Sequence, residues 1–178
     1  IKEEVLVDPP KADLKLITSI FAEQKFETAL KYIGNLLSQF KCSLALHTLR
    51  GACFASQKKH SDALKSFETA IFLDPLQSES YYNIGLCYER LDNPTEAQKY
   101  YLKALDLDPK CHSARLNYGI LLMKRGNFVE AKYHFEKLLF DEPKNLSALI
   151  NLGDSQVRLG DNNSAVETFL DAFFVDRK

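Results

Sequence analysis

Asparagine recurs at one fixed interval in this 178-residue chain, at Asn83, Asn117 and Asn151. The side-chain amide carries a carbonyl acceptor and an amide donor, so it can pair with both backbone groups of an extended peptide, whatever that peptide's sequence. Each such bond contributes about 1 kcal/mol net. The 34-residue spacing therefore predicts a row of backbone-binding amides, provided that the fold aligns equivalent residues.

The histidines and cysteines lack the spacing that catalysis or metal binding needs. No histidine pair has H-E-x-x-H or i, i+4 spacing, and no two cysteines form C-x-x-C. Cys111 and His112 are adjacent, but a catalytic dyad would need a third orienting group, and none is evident. No glycine-rich phosphate-binding motif is present. We predict no catalytic residue, no metal, no cofactor, and four free thiols in a reducing compartment.

The composition excludes several classes of partner. The net charge is −1, from 23 basic and 24 acidic residues, so broad attraction to nucleic acid or to an anionic membrane is not expected. The apolar runs are far shorter than the roughly 20 residues of a membrane-spanning helix, so no membrane insertion is expected. No signal peptide is visible and residue 1 is not Met, which favours an excised fragment of a longer protein; we expect a cytoplasmic location.

Four further residue series share the 34-residue interval. They are Gly51, Gly85, Gly119 and Gly153; Ala29, Ala63, Ala97, Ala131 and Ala165; Pro75, Pro109 and Pro143; and the large residues Ile33, Phe67, Tyr101, Phe135 and Phe169. Independent series with one period indicate a repeat architecture, in which each repeat is one small structural unit that stacks on its neighbours.

Each repeat is predicted to be a pair of helices. In residues 78–111 the first helix covers about 79–91 and the second about 94–107. Asp92-Asn93-Pro94 forms the turn between them, because proline suits the first turn of a helix. Pro109 ends the second helix, because proline cannot continue the hydrogen-bond ladder.

The glycine series gives each pair its close contact. We expect Gly85 and Ala97 to let the two backbones approach, with Tyr101 filling the space beside them. A larger side chain at Gly85 would then overpack the pair at a cost of about 1–3 kcal/mol.

This pattern resembles the tetratricopeptide repeat family, whose unit is a 34-residue helix-turn-helix. The matching signature residues are Tyr81, Ile84, Gly85, Tyr88, Ala97, Tyr101, Ala104 and Pro109. The resemblance implies an all-α fold, a right-handed superhelix of antiparallel helix pairs. We divide the chain into an extension at 1–9, a degenerate repeat at 10–43, and repeats at 44–77, 78–111, 112–145 and 146–178. The last repeat is expected to stop before a capping helix.

The resemblance also implies that the first helices of successive repeats line a concave groove. Three rows of residues fall on it: the asparagines, an apolar floor and a basic edge. The floor comprises Tyr82, Leu86, Leu116, Ile120, Met123 and Ile150, and the edge comprises Arg90, Lys124 and Arg158. The basic row would favour an acidic edge on the partner. Similar asparagine ladders hold peptide backbones in the superhelix of O-linked N-acetylglucosamine transferase.

Structural alternatives stay open for each row. Asparagine is common at this slot across the family, Leu116 and Ile120 could pack between neighbouring first helices, and the basic row could be a solvated edge.

One binding site known in this family is not expected here. The carboxylate clamp of co-chaperone repeats needs Lys and Asn where Thr48 and Ala52, or Tyr82 and Leu86, stand here.

Three hypotheses for function follow. The leading one is a non-catalytic protein-interaction scaffold that binds a partner peptide or helix in the groove. The second is an assembly element that docks through its ends or convex face. Phe173 and Phe174 at the end of the last helix suggest self-association there. The third is the substrate-recruiting arm of a larger enzyme such as a glycosyltransferase, whose catalytic domain lies elsewhere in the chain.

Overall fold

Ten α-helices occupy residues 7–176, the part of the chain that this computed structural model describes. They are α1 Lys11–Ala22, α2 Phe26–Leu37, α3 Leu44–Ser56, α4 His60–Leu73, α5 Ser78–Arg90, α6 Pro94–Leu107, α7 His112–Lys124, α8 Phe128–Asp141, α9 Leu146–Arg158 and α10 Asn162–Asp176. The helices form pairs in chain order, from α1 with α2 to α9 with α10, and three residues join the two helices of each pair. Connections this short make the paired helices antiparallel neighbours. None of these helices combines the length and hydropathy needed to cross a membrane.

One backbone feature ends the first helix of every pair. Gln24, Lys58, Asp92, Gly126 and Gly160 have positive φ angles between 57° and 80°, and they stand 34 residues apart. The next residue returns its N–H to the preceding helix, as in the 2.9 Å bond from Lys59 to the carbonyl of Phe54. This is the Schellman arrangement, in which a left-handed residue lets the chain satisfy the last carbonyls of a helix.

The chain forms two compact units, residues 1–100 and 101–178. In the first unit, Ile17, Ile33 and Leu46 of α1, α2 and α3 are fully buried in one cluster. A second cluster joins Phe67 of α4 to Ile84 of α5. These side chains fix α3 and α5, and α5 is the first helix that carries the predicted groove residues of this unit.

In the second unit, α7, α8 and α9 supply most of the large buried side chains, and α6 adds Tyr101. They are Tyr101, Tyr118, Leu121, Leu122, Phe135, Leu138, Leu149 and Leu152. Asn145 caps the start of α9, since its side chain accepts the Ala148 N–H at 3.0 Å. The cap and the core together fix the register of α9 against α8.

The recurrent glycines make room for aromatic rings. A Cβ atom built on Gly51 would lie 2.6 Å from the ring of Phe67, one on Gly119 would lie 2.6 Å from Phe135, and one on Gly153 would lie 2.5 Å from Phe169. The close contact at these glycines is therefore between one helix and the ring of the next. This refines the expectation of a backbone-to-backbone approach with the ring beside it.

Candidate functional site

A pocket of about 330 Å³ opens in the first unit at the face of α5. Asn83, Leu86 and Arg90 line it, and all three belong to the predicted groove rows. Their i, i+3 and i+7 spacing puts them on one face of α5. Residues of three other helices complete the wall: Phe21, Ala52, Ala55, Ser56, His60 and Phe67.

The pocket combines an apolar wall with a few polar groups. Phe21, Phe67 and Leu86 supply large apolar surface, whereas Asn83 and Arg90 supply hydrogen-bond donors. Nδ1 of His60 is shielded from solvent and has no hydrogen-bond partner in the described part of the chain. Such a composition suits an apolar side chain that carries a polar or acidic neighbour.

Cys87 also lines this pocket, and its chemistry argues for binding rather than for nucleophilic reactivity. Burial raises the pKa of the Cys87 thiol to about 11, and it raises the pKa of the Cys53 thiol to about 11 as well. Both thiols are therefore neutral near pH 7, and the thiolate is the reactive form of cysteine. None of the four cysteines forms a disulfide.

The basic residue Arg90 has a second, structural role. It is exposed and stands in the last turn of α5, as Lys124 does in α7 and Arg158 in α9. A cation there interacts favourably with the partial negative charge at the helix C-terminus. The basic row thus has a structural reason to recur, beside its predicted role at the edge of a groove.

Tyr82 of α5 is half-buried and is not part of the pocket lining. The other predicted residues lie on α7 and α9 of the second unit. Leu116, Ile120 and Met123 of α7 are half-buried, whereas Ile150 of α9 is 43% exposed. The Ser155 hydroxyl of α9 lies 2.9 Å from the sulfur of Met123, which ties the two first helices together. The apolar floor of this unit therefore packs partly between helices while keeping some surface open.

The two asparagines of this unit are half-buried. The Asn151 amide nitrogen donates to the Ser147 carbonyl at 2.7 Å within its own helix, which leaves its second N–H and its carbonyl oxygen for other partners. Asn117 occupies the equivalent slot on α7. Asn83 lies in the first unit and Asn117 and Asn151 in the second, so a continuous ladder of all three stays a prediction.

Arg158, the last of the basic row, lies over an aromatic ring. Its guanidinium carbon is 6.0 Å from the centroid of the Phe128 ring, within the range of a cation–π interaction. Lys124 is exposed at the end of α7.

His112 has the orienting groups that the sequence does not reveal. Its Nδ1 lies 2.7 Å from a Glu142 oxygen and its Nε2 lies 3.2 Å from an Asp141 oxygen. Hydrogen bonds from Asn145 and His112 lower the pKa of Glu142 below its ordinary value. With both ring nitrogens engaged by carboxylates, His112 is not oriented as a base toward Cys111.

Within residues 7–176, no group of His, Cys, Asp and Glu side chains is arranged to hold a metal ion.

Sequence reasoning missed the pocket residues outside the first-helix rows. Phe21 comes from the degenerate first repeat, and His60 and Phe67 come from α4. The period identifies equivalent slots, but it does not show which side chains of different helices converge. The one available signal was the small residue Ala52 in the slot that holds Leu86 and Ile120 in the next two repeats, which leaves space beside α3.

Comparison with known families accounts for this architecture. Two models described as tetratricopeptide repeat match residues 78–111 and residues 119–173. The chain belongs to the tetratricopeptide repeat family. The predicted family and the predicted all-α fold of antiparallel helix pairs are thereby confirmed. No curated protein gives a significant sequence match.

Solved tetratricopeptide repeat structures share this fold. MamA from Desulfovibrio magneticus RS-1 superposes with a TM-score of 0.81 at 17% identity, over 97% of this chain and 98% of that one. YrrB, described as a tetratricopeptide repeat protein with an unusual peptide-binding site, gives a TM-score of 0.72 at 19% identity, over 93% and 86% of the two chains. PilW, a type IV pilus biogenesis factor, gives 0.78 at 24% identity, over 92% and 77%. At these identities the likeness concerns the fold alone.

Proposed function

We propose that this chain is a non-catalytic protein-interaction module that binds an extended segment of a partner protein on its first helices. The observation that carries the proposal is the pocket of the first unit. The repeat pattern predicts Asn83, Leu86 and Arg90 as binding residues, and all three line that pocket. Tetratricopeptide repeats serve as protein-interaction scaffolds in general, and the structurally similar YrrB has a peptide-binding site.

The binding mode follows from the groups around the pocket. A large apolar side chain of the partner enters and contacts Phe67 and Leu86. The Asn83 amide pairs with the partner backbone, and Arg90 pairs with a carboxylate next to the apolar residue. The volume of about 330 Å³ is at the lower end of the roughly 300–1,000 Å³ typical of ligand pockets. It therefore suits one anchoring side chain rather than a large cofactor.

The second unit contributes a further stretch of similar chemistry. Asn117 and Asn151 bind backbone groups, Leu116, Ile120 and Ile150 contact apolar side chains, and Lys124 meets acidic ones. Half-burial of the apolar residues on α7 limits how much new surface each can bury. For this reason we assign the strongest single contribution to the pocket of the first unit.

The proposal is tested by selecting peptides and then removing the groups that it names. Peptides selected from a random display library on the 178-residue chain should carry a large apolar residue beside Asp or Glu. Asn83→Ala combined with Leu86→Glu should weaken their binding at least tenfold by fluorescence anisotropy. A tenfold loss of affinity corresponds to about 1.4 kcal/mol of binding free energy. Losing one backbone hydrogen bond and placing a charge in the apolar pocket wall should together cost more than that.

Leu76→Glu is the matched control, because Leu76 is 75% exposed and does not line the pocket. It introduces the same charge and should leave the affinity unchanged. Circular dichroism melting of each variant checks that the fold is retained. If Asn83→Ala with Leu86→Glu keeps its melting temperature and binds the selected peptides as tightly as the parent chain, the proposal is wrong.

A further inference from the structure

The outward side of α8 carries large apolar side chains that stay exposed. Val129, Tyr133 and Phe140 have exposed fractions of 69%, 53% and 86%. Their i, i+4 and i+11 spacing places them along one line of the helix, and we call these three residues the α8 stripe. The buried residues of α8 lie on its opposite side: Ala131, His134, Phe135 and Leu138.

The other second helices hold polar residues in two of these three slots. The slot of Tyr133 holds Lys31, Lys65, Lys99 and Glu167, and the slot of Val129 holds Glu27, Ser61, Thr95 and Asn163. The slot of Phe140 holds phenylalanine in α4 and α10 as well, so α8 alone combines all three apolar residues. The next helices of the chain, α9 and α10, leave this stripe exposed. Packing within the repeats therefore does not account for it, and such a surface marks a contact site.

Two opposite charges flank the α8 stripe at its centre. Tyr133, Glu136, Lys137 and Phe140 together line a hollow of about 260 Å³. Successive residues of an α-helix are about 100° apart, so Glu136 and Lys137 lie on opposite sides of the line from Tyr133 to Phe140. Lys132 lies 3.7 Å from Glu136, and the Lys137 ammonium lies 5.8 Å from the centroid of the Tyr133 ring. Both contacts are weak at an exposed surface, so each charge can take a further partner.

A second copy of the chain matches this arrangement by symmetry. In a parallel two-fold pair, whose axis runs along α8, the left flank of one stripe meets the right flank of the other. Glu136 of each copy then lies beside Lys137 of the other copy, and Tyr133 and Phe140 meet their own counterparts as aromatic pairs. An antiparallel pair would keep each flank on its own side and set Lys137 against Lys137, where like charges repel.

We propose that the chain forms a parallel two-fold dimer through the α8 stripe. Stable protein interfaces bury roughly 1,200–2,000 Å² in total, and a stripe on one helix offers less than that. The dimer is therefore weak and forms at high protein concentration. The stripe belongs to the second unit and the pocket to the first, so this proposal and the proposed function stand or fall independently.

Sedimentation velocity of the 178-residue chain tests the dimer. Between about 5 µM and about 500 µM, the range of weak complexes, the sedimentation coefficient should rise from that of a monomer toward that of a dimer. Tyr133→Lys installs the residue that α4 and α6 hold there, and it should weaken dimerisation about tenfold or more, because both copies lose an anchoring ring. Phe72→Lys is the matched control, since Phe72 is 86% exposed on α4 in the slot of Phe140. It should leave the dimer intact, and circular dichroism melting checks that each variant is folded.

Reversing the flanking charges tests the parallel arrangement. Glu136→Lys alone and Lys137→Glu alone should each weaken dimerisation, because like charges then lie beside each other in the dimer. The double change Glu136→Lys, Lys137→Glu should restore it, because both ion pairs form again with their signs exchanged. An antiparallel dimer would not show this rescue.

Three results would overturn the proposal. The first is a chain that remains monomeric at about 500 µM. The second is a dimer that Phe173→Glu dissociates and Tyr133→Lys leaves intact, which would assign self-association to the end of α10. The third is a dimer that the single charge reversals do not weaken or that the double change does not restore, which would exclude the parallel pairing through α8.

Discussion

At the scale of single residues, the glycine series and the aromatic series act together. Gly51, Gly119 and Gly153 each lie under a ring of the following helix. The fixed interval between glycine and ring is visible in the sequence. The contact itself was not predictable, because residue spacing does not show whether a glycine serves the backbone or a neighbouring ring.

Gly119→Ala tests this contact directly. The added Cβ would lie 2.6 Å from the fully buried ring of Phe135, so we expect a loss of about 1–3 kcal/mol in the free energy of unfolding. Gly34→Ala is the control, since nothing lies within 4 Å of its added Cβ. That change should instead stabilise α2 by about 0.5–1 kcal/mol. Urea unfolding of both variants measures the change in the free energy of unfolding. Equal changes in the two variants would refute the role of the ring.

His134 gives the fold a dependence on pH. It is 9% exposed, its ring meets that of Tyr118 at 4.8 Å, and its Nδ1 has no hydrogen-bond partner in the described part of the chain. Burial, and then the nearby Arg115 charge, lower the pKa of His134 below the ordinary 6.5. The unfolded chain therefore binds more protons just below pH 6.5, so stability is lost as the pH falls through that range.

We expect His134→Phe to reduce this acid sensitivity. Between about pH 7.5 and pH 5.5, around the ordinary histidine pKa, its free energy of unfolding should fall less than that of the parent chain. Some dependence should remain, because burial also lowers the pKa of His47. Urea unfolding across this range measures both slopes. Identical slopes would show that His134 is not the group responsible.

At the scale of elements, the turn inside each of the first three helix pairs carries a conformational cost that the sequence did not reveal. The left-handed slot holds glycine in the last two repeats but Gln24, Lys58 and Asp92 in the first three. The left-handed conformation costs an ordinary L-residue roughly 1–2 kcal/mol. Two glycines out of five were too weak a signal to identify the slot before the backbone angles were known.

Lys58→Gly should therefore stabilise the protein. Removing the side chain relieves the strain at φ 61°, and the greater freedom of glycine in the unfolded chain offsets part of the gain, so we expect about 0.5–1 kcal/mol. Asp92→Gly should gain less, because aspartate tolerates this conformation better. Thermal unfolding compares the stability of the two variants with that of the parent chain. A destabilised Lys58→Gly would mean that the lysine side chain makes a contact that outweighs the strain.

The helices themselves were well predicted. The first helix of the third repeat was expected at about 79–91 and is α5, Ser78–Arg90, and the second was expected at about 94–107 and is α6, Pro94–Leu107. Proline marks these bounds because it restricts the local backbone geometry, and the 34-residue period transfers the bounds from one repeat to the next. The pocket was not predictable, since it depends on how Phe21 and His60 of other helices meet α5.

At the scale of the whole molecule, the proposed function rests on the pocket of the first unit. This pocket pairs apolar lining with Asn83 and Arg90, and under the proposal it binds an extended partner segment that carries an acidic residue.

The most direct test of the central claim is to map where a selected peptide binds. Amide chemical shifts of the labelled chain, recorded during titration with that peptide, should change most at Ala52, Asn83, Leu86 and Arg90. Asn83→Ala with Leu86→Glu should remove those changes while leaving the rest of the spectrum intact. Changes centred instead on Leu170 and Phe173, with none around Asn83, would contradict the account.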